Sequence, residues 1–364
     1  MPRVLQIPPW SGRGGPGSRA VDDRRGAAGA GFGRRALRLA GLVLVQVVVF
    51  GLLVEVVARW LDPLGISYYP ETAAYFDTMV IEEPIGYRNR PGLEGTFWGV
   101  PVAINALGLR DEEISGPRPA GEARILFLGD SLVFGLGLEA EHTIPRQLED
   151  QLQHRADGTV RYRVLNMGTV SYNSEQESIQ YESLGAALDP QLVLLFFTAN
   201  DLEPKMWVFE RRRSLIARVA QRSYAASLLA ILYWELRLRL TGHDKRYPYR
   251  IEMASHPGWA TVEASLGRIA ALCRRRGIPF VLLARERYPR LEALAGRLGF
   301  PFLAVNPVVD DPRWRDRDIS TYLVSRVNGH PNRRGAQADA TVIRERLESL
   351  GLLPRARAVA GGAP

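Results

Sequence analysis

From Arg124 onward the chain alternates short, unbroken apolar runs with amphipathic stretches, and this rhythm narrows the choice of fold more than any other feature. RILFLGDS opens it and IPRQLEDQLQ follows with helical spacing; RYRVLN, QLVLLFFTAN, IPFVLLA and FPFLAV then supply four further runs of strand length. A run such as LVLLFF has no polar residue at alternate positions, so both faces of the strand must be covered, as helices on both sides of a parallel sheet would do. The expectation is therefore an α/β fold: a three-layer, doubly wound parallel sheet of about five strands. Between the third and fourth runs lies a long stretch, Leu202 to Trp259, containing SYAASLLAILYWELRLRL, which reads as a helical insertion.

A second apolar feature lies far upstream. Residues 1–35 are mostly Gly, Pro, Ala and Arg, with too few large apolar groups to offset the entropy of ordering, and read as a disordered basic tail. LAGLVLVQVVVFGLLVEVV, Leu39 to Val57, follows, interrupted only by Gln46 and Glu55. At 1.5 Å per helical residue it reaches about 28 Å, roughly one hydrocarbon core. A buried core helix or a cleaved signal peptide would show the same composition. A core helix seldom follows so polar a tail, however, and no small-residue cleavage site follows the run. Eight Arg precede it and only Arg59 lies in the next twenty residues, so the positive-inside bias puts the N-terminus in the cytoplasm and the rest outside. The domain reading is a tail (1–35), a single-pass inner-membrane anchor (36–60), a stalk or ancillary lead-in (61–120), a catalytic-sized domain (121–350) that would be periplasmic, and a disordered end (351–364).

With 364 residues, 46% hydrophobic and 24% charged, the chain has a globular composition, which excludes a wholly disordered or multi-span protein. Its one cysteine, Cys273, excludes a disulfide framework and a Cys-rich metal site, and only five His remain as metal ligands. No metal is expected. The net charge of +8 raises the question of nucleic acid, but residues 1–38 hold eight Arg against two Asp, and Lys205 to Arg250 hold eleven basic residues against three acids. No nucleic-acid motif accompanies these blocks, so no nucleic-acid partner is expected.

Open α/β sheets bind ligands beyond the carboxyl ends of their strands, so the informative residues are those just after each apolar run. These are Gly129, Asp130 and Ser131; then Asn166, Gly168, Ser171 and Asn173; then Thr198, Asn200 and Asp201. A serine at a strand-to-helix turn can expose its hydroxyl and offer its own N–H, which suits acyl transfer, and it needs a base, for which His is best matched to neutral pH. His330 lies in VNGHPNRRG, a loop after the last strand and before the final helix; His142 and His154 flank a surface helix, and His243 and His256 fall in or near the insertion.

The strings GDSLVFG (129–135), NMGTVSYN (166–173), TAND (198–201) and GHPNRRG (329–335), in this order, resemble the SGNH (GDSL) hydrolase superfamily. The resemblance spans roughly residues 84–350, including GYRNRPG and INALGLR, and is nearest to membrane-anchored members of bacterial surface-polysaccharide systems. It implies a flavodoxin-like sheet, Ser131 as nucleophile and His330 as base. The Asn200 amide, with the backbone N–H groups of Ser131 and Ser171, would form the oxyanion hole. For Asp201 helix capping is the preferred reading, and for Asn200 catalysis. No cofactor is implied.

Two departures from the family pattern stand out. Many relatives carry glycine where this chain has Ser171, and Gly168 is a candidate for supplying the turn instead. Relatives also place an aspartate two or three residues before the histidine, where this chain has Asn328 and Val327. An amide can orient an imidazole but cannot stabilise imidazolium by charge. Asn328 is accordingly the stand-in third member, with Asp310, Asp311, Asp316 and Asp318 as candidate acids from elsewhere.

The expected activity is hydrolysis or transfer of a small acyl ester, most simply acetyl on a cell-surface or exported polysaccharide, with the membrane engaged through Leu39 to Val57. A non-catalytic glycan-binding or assembly protein, and a lipase or lysophospholipase, are the alternatives. Tyr224 to Leu240 has three readings: core packing, a lid, or a helix on the membrane surface.

Overall fold

Five parallel strands form the central sheet: β5 (Glu122–Gly129), β6 (Arg161–Gly168), β7 (Leu192–Phe197), β8 (Phe280–Ala284) and β9 (Phe302–Ala304), in the order β6-β5-β7-β8-β9. This is the expected doubly wound sheet, with the strand order reversing between β5 and β7. The computed structural model describes residues 19–62, 65, 67–114, 117–155, 160–211, 222–241, 255–307, 311–314, 319–324 and 328–354. The terminal segments 1–18 and 355–364, and with them His243, Val327, Asp310, Asp316 and Asp318, lie outside the described residues.

Strand β7 shows why its sequence has no alternation. Leu192, Leu194 and Phe196 join the core on one face, against α4 (Ile144–Arg155) and the last helix (Arg333–Ser349). Val193, Leu195 and Phe197 join the core on the other face, against α5 (Ser174–Ser183) and the helix Trp259–Arg276. All six are at most 1% exposed. Each Leu so covered contributes about 1.5–3 kcal/mol of burial.

The lead-in folds onto this sheet unit through α2 (Tyr68–Thr78) and two antiparallel pairs, β1 (Val80–Glu82) with β2 (Gly86–Arg88) and β3 (Glu94–Phe97) with β4 (Val100–Ala103). Tyr75, Tyr87, Val102 and Ile104 of the lead-in share one apolar cluster with Phe134, Val170 and Tyr172, next to the loops that follow β5 and β6. Buried Arg110 donates to the carbonyls of Phe134 (3.0 Å), Gly135 (2.6 Å) and Leu138 (2.5 Å), satisfying the end of the short helix α3 (Ser131–Phe134).

Contacts divide the chain into two units, Met1–Val57 and Ala58–Pro364. Helix α1 starts in the first unit at Arg19, inside the segment expected as a disordered tail, and ends at Leu61, just past the boundary. Ala and Arg are strong helix formers and extend the helix that the apolar run begins. Its stretch Leu37–Leu61 is long and apolar enough to cross a membrane, with none of its most apolar window buried. In the second unit, the described part of the insertion contains α6 (Trp207–Arg211) and α7 (Tyr224–Thr241).

Candidate active site

The register of the sheet assembles the site. Gly129 pairs with Gly168 on β6 and with Phe196 on β7, so the loops after these three strands emerge side by side where the strand order reverses. Close approach is enforced at Gly168, where a Cβ would come within 2.1 Å of the Phe134 backbone nitrogen. Gly168 therefore does not supply the turn suggested for it, and it is absent from the positive-φ positions. Ser171 itself turns the chain, at φ +61°, with the Tyr172 N–H closing on the Thr169 carbonyl at 3.1 Å. A positive φ at the third residue is the demand of a type II turn, which explains why glycine suits this position.

Ser131, 9% exposed, opens α3, and Asp130 before it caps that helix by accepting the Leu132 N–H at 2.9 Å. His330 comes from a loop 199 positions away, and its Nε2 lies 2.7 Å from Ser131 Oγ. On the other side of the ring, Asn328 Oδ1 lies 2.5 Å from Nδ1 and also accepts the His330 backbone N–H at 3.1 Å. An atom that accepts a backbone N–H is the amide oxygen, so Nδ1 carries the ring proton and Nε2 presents its lone pair to the Ser131 hydroxyl. Asp311, the one described alternative acid, is instead engaged by Arg313, with its Oδ1 3.0 Å from Nε. His142, His154 and His256 stand apart; His154 contacts the Asp150 carbonyl and His256 accepts the Gly258 N–H.

Asn200 sits in the 3₁₀ turn Ala199–Leu202 directly after β7. Its Nδ2 donates to the Tyr172 carbonyl at 2.8 Å and its Oδ1 contacts the Thr198 hydroxyl, which fixes the plane of the amide beside the Ser171 turn. The same side chain also hydrogen-bonds the Asp130 carboxylate, a primary amide having two N–H groups to give. Asp201 caps the turn, its Oδ2 accepting the Thr198 N–H at 2.6 Å.

Two further residues reach the site without any motif announcing them. Tyr68, the first residue of α2, places its ring 5.7 Å from the His330 ring. Arg285, just after β8, is paired with buried Asp339, with Nη2 2.6 Å from Oδ2. Burial, together with the Arg285 charge, pushes the His330 pKa down to about 4, so the imidazole is neutral and able to accept a proton over most of the pH range. Among the described residues no group of His, Cys, Asp and Glu is arranged to hold a metal ion.

A serine-bearing turn, a neutral imidazole in contact with its hydroxyl and hydrogen-bond donors on neighbouring loops are the parts that acyl transfer requires. The model of the GDSL-like lipase/acylhydrolase family matches residues 127–338, more than half of the chain, and the chain belongs to that family. Among solved structures it is similar to AlinE4, an SGNH-hydrolase family esterase, at 18% identity, covering 65% of this chain and all of that one with a TM-score of 0.33. It is also similar to TesA, at 16% identity, covering 62% and 99% of the two chains with a TM-score of 0.40. A GDSL-like lipase from Bacteroides thetaiotaomicron is similar at 14% identity, covering 62% and 88%, with a TM-score of 0.35. A search of curated proteins finds no match.

Proposed function

We propose that the protein is a membrane-anchored, extracytoplasmic serine esterase or acyltransferase acting on small acyl esters, above all acetyl, of a cell-surface or exported polysaccharide. The contact of 2.7 Å between His330 Nε2 and Ser131 Oγ carries this reading. Ser131 Oγ bonds to the ester carbonyl carbon while its proton passes to His330 Nε2, and the carbonyl π pair moves onto oxygen. The N–H groups of Ser131 and Ser171 and the Asn200 amide hold that oxyanion. Collapse breaks the ester C–O bond, and His330 returns the proton to the departing sugar oxygen. Water, or a second sugar hydroxyl, then attacks the acyl-Ser131 with His330 again as base.

The membrane side of the proposal rests on the 25 residues of Leu37–Leu61 and on the Arg excess before them. The domain order follows: basic tail, anchor, lead-in and hydrolase domain with its insertion, ending in a short tail. Asn328 favours a second reading, a glycan-binding or assembly protein, because a neutral amide leaves imidazolium without a counter-charge. The exposed leucines of α7 favour a third, a lipase, which activity on long acyl chains in preference to acetyl would support.

The test is covalent labelling by a fluorophosphonate together with deacetylation of an acetylated glycan. Wild type is expected to label and turn over, and Ser131→Ala to lose labelling and about 10⁴-fold or more of the rate. Full activity in Ser131→Ala would sink the enzyme reading, and an unlabelled wild type that still binds glycan would favour the second. Asn328→Asp, which restores the counter-charge, is expected to raise kcat by about tenfold or more.

A further inference from the structure

Beneath the loops that carry Ser171 and Asn200 lies a buried acidic network that the reaction as written leaves unused. Asp201 is 1% exposed, and both its oxygens are occupied: Oδ1 accepts from the Ser174 hydroxyl at 2.6 Å and Oδ2 from the Thr198 N–H at 2.6 Å. Ser174 follows the Ser171 turn, and Thr198 precedes Asn200. One carboxylate therefore ties together the two loops that bring oxyanion donors from outside the nucleophile turn. The Thr198 hydroxyl, 2.8 Å from Asp130 Oδ2, extends the tie to the residue before Ser131.

Glu177 is wholly buried on α5, three residues after Ser174 and so on the same helix face, which Ser174 brings against Asp201. Among the described residues, no N–H or O–H group donates to either of its oxygens. Two carboxyl groups can hydrogen-bond only if one of them keeps its proton. Burial raises both carboxyls, but Asp201, which accepts from Ser174 and Thr198, rises only to about 7, so the proton of the pair rests on Glu177, which has no such donors. The charged groups acting on Glu177 are Asp201 and Asp130; Arg268, from the helix packed along α5, turns instead to Ser178 at 3.0 Å and to Glu182.

We propose that Glu177 is a positioning residue, an acid protonated at neutral pH whose O–H donates to Asp201 and thereby holds the Ser171 and Asn200 loops in register for the oxyanion. Burial and the neighbouring negative charges push its pKa well above the ordinary carboxyl value, in keeping with this assignment. The proposal rests on the esterase reading for its effect on rate, while the buried proton can be read independently of any activity.

The experiment uses the full chain in detergent, with wild type, Glu177→Gln and Glu177→Ala. In the infrared, wild type at neutral pH should show a protonated-carboxyl C=O band that Glu177→Gln removes. Its absence, or its survival in Glu177→Gln, overturns the assignment whether or not the protein is an esterase. With p-nitrophenyl acetate, Glu177→Ala should lower kcat about tenfold with little change in KM. Glu177→Gln, which keeps a neutral donor, should stay within about threefold of wild type and extend activity to higher pH. Equal impairment of the two variants, or none in either, overturns the positioning role; if Glu177→Ala does not fold, the Gln variant and its band decide. A wild type inert to both p-nitrophenyl acetate and fluorophosphonate would count against the esterase reading alone.

Discussion

The lead-in and the insertion invert what their compositions suggest. Residues 68–110 are rich in Gly, Pro and polar groups, yet Tyr75 and Tyr87 are 0% exposed and the segment braces the site. Helix α7 is almost continuously apolar, yet Leu229, Leu232, Leu236 and Leu240 are between 57% and 76% exposed, apart from Leu232 at 51%. Besides its apolar cluster, the lead-in is held by hydrogen bonds to backbone: its Tyr87 hydroxyl donates to the Ser171 carbonyl at 2.9 Å, the Tyr172 hydroxyl after β6 donates back to the Tyr87 carbonyl at 2.6 Å, and within the lead-in Asn89 Nδ2 donates to the Gly108 carbonyl at 3.1 Å. In α7 only Ser227 and Ile231 are buried among the described side chains, which argues against the core-packing reading for these four leucines. Specific partners, more than apolar content, decide which accessory segment becomes part of the domain.

Substitutions can break this contrast. Tyr87→Ala is expected to destabilise the protein by about 3–5 kcal/mol in equilibrium unfolding, the cost of a large buried aromatic, and to lower esterase rate by loosening the Ser171 turn. A surface-like cost would mean that the lead-in is dispensable. Tyr68→Ala should lower kcat/KM severalfold, by about 1 kcal/mol of transition-state stabilisation, with a smaller cost to unfolding than Tyr87→Ala, because its ring is only partly buried and borders His330. Equal loss of stability and activity would reduce Tyr68 to packing.

Leu229→Gln and Leu236→Gln on α7 should each shift unfolding in detergent by no more than about 0.5 kcal/mol. A cost of core size would show that the helix is covered in solution. The pH profile gives a smaller and separate test. As the proposed base, His330 acts while neutral, so activity should fall as pH drops through its pKa, and with that value at about 4 the acid limb of kcat/KM is expected well below the ordinary imidazole value of 6.5. Restoring a negative neighbour with Asn328→Asp should move that limb upward.

Much of this arrangement is legible in the sequence because strand ends are. Ser131, Asn200 and the Ser171 turn each follow an apolar run, and the parallel register makes such positions neighbours. Asn328 is legible through the short spacing to His330 that lets it reach the ring. Tyr68 is not, since an aromatic ring 262 positions before its partner leaves no pattern in the chain. Glu177 reads as an ordinary polar residue of an amphipathic helix. Its burial follows from the depth at which α5 packs between the lead-in and the helix Trp259–Arg276, and that depth is a property of the assembled layers.

Asn328 is followed by Gly329, which has no side chain to shield its nitrogen from the neighbouring amide carbon. Attack there expels ammonia and closes a succinimide, whose hydrolysis opens mainly to isoaspartate and in part to aspartate, so slow chemical ageing would put at this position a negative charge that the gene does not encode. Preparations of different age would then be mixtures of amide and acid forms, and intact mass belongs beside every rate measured on them.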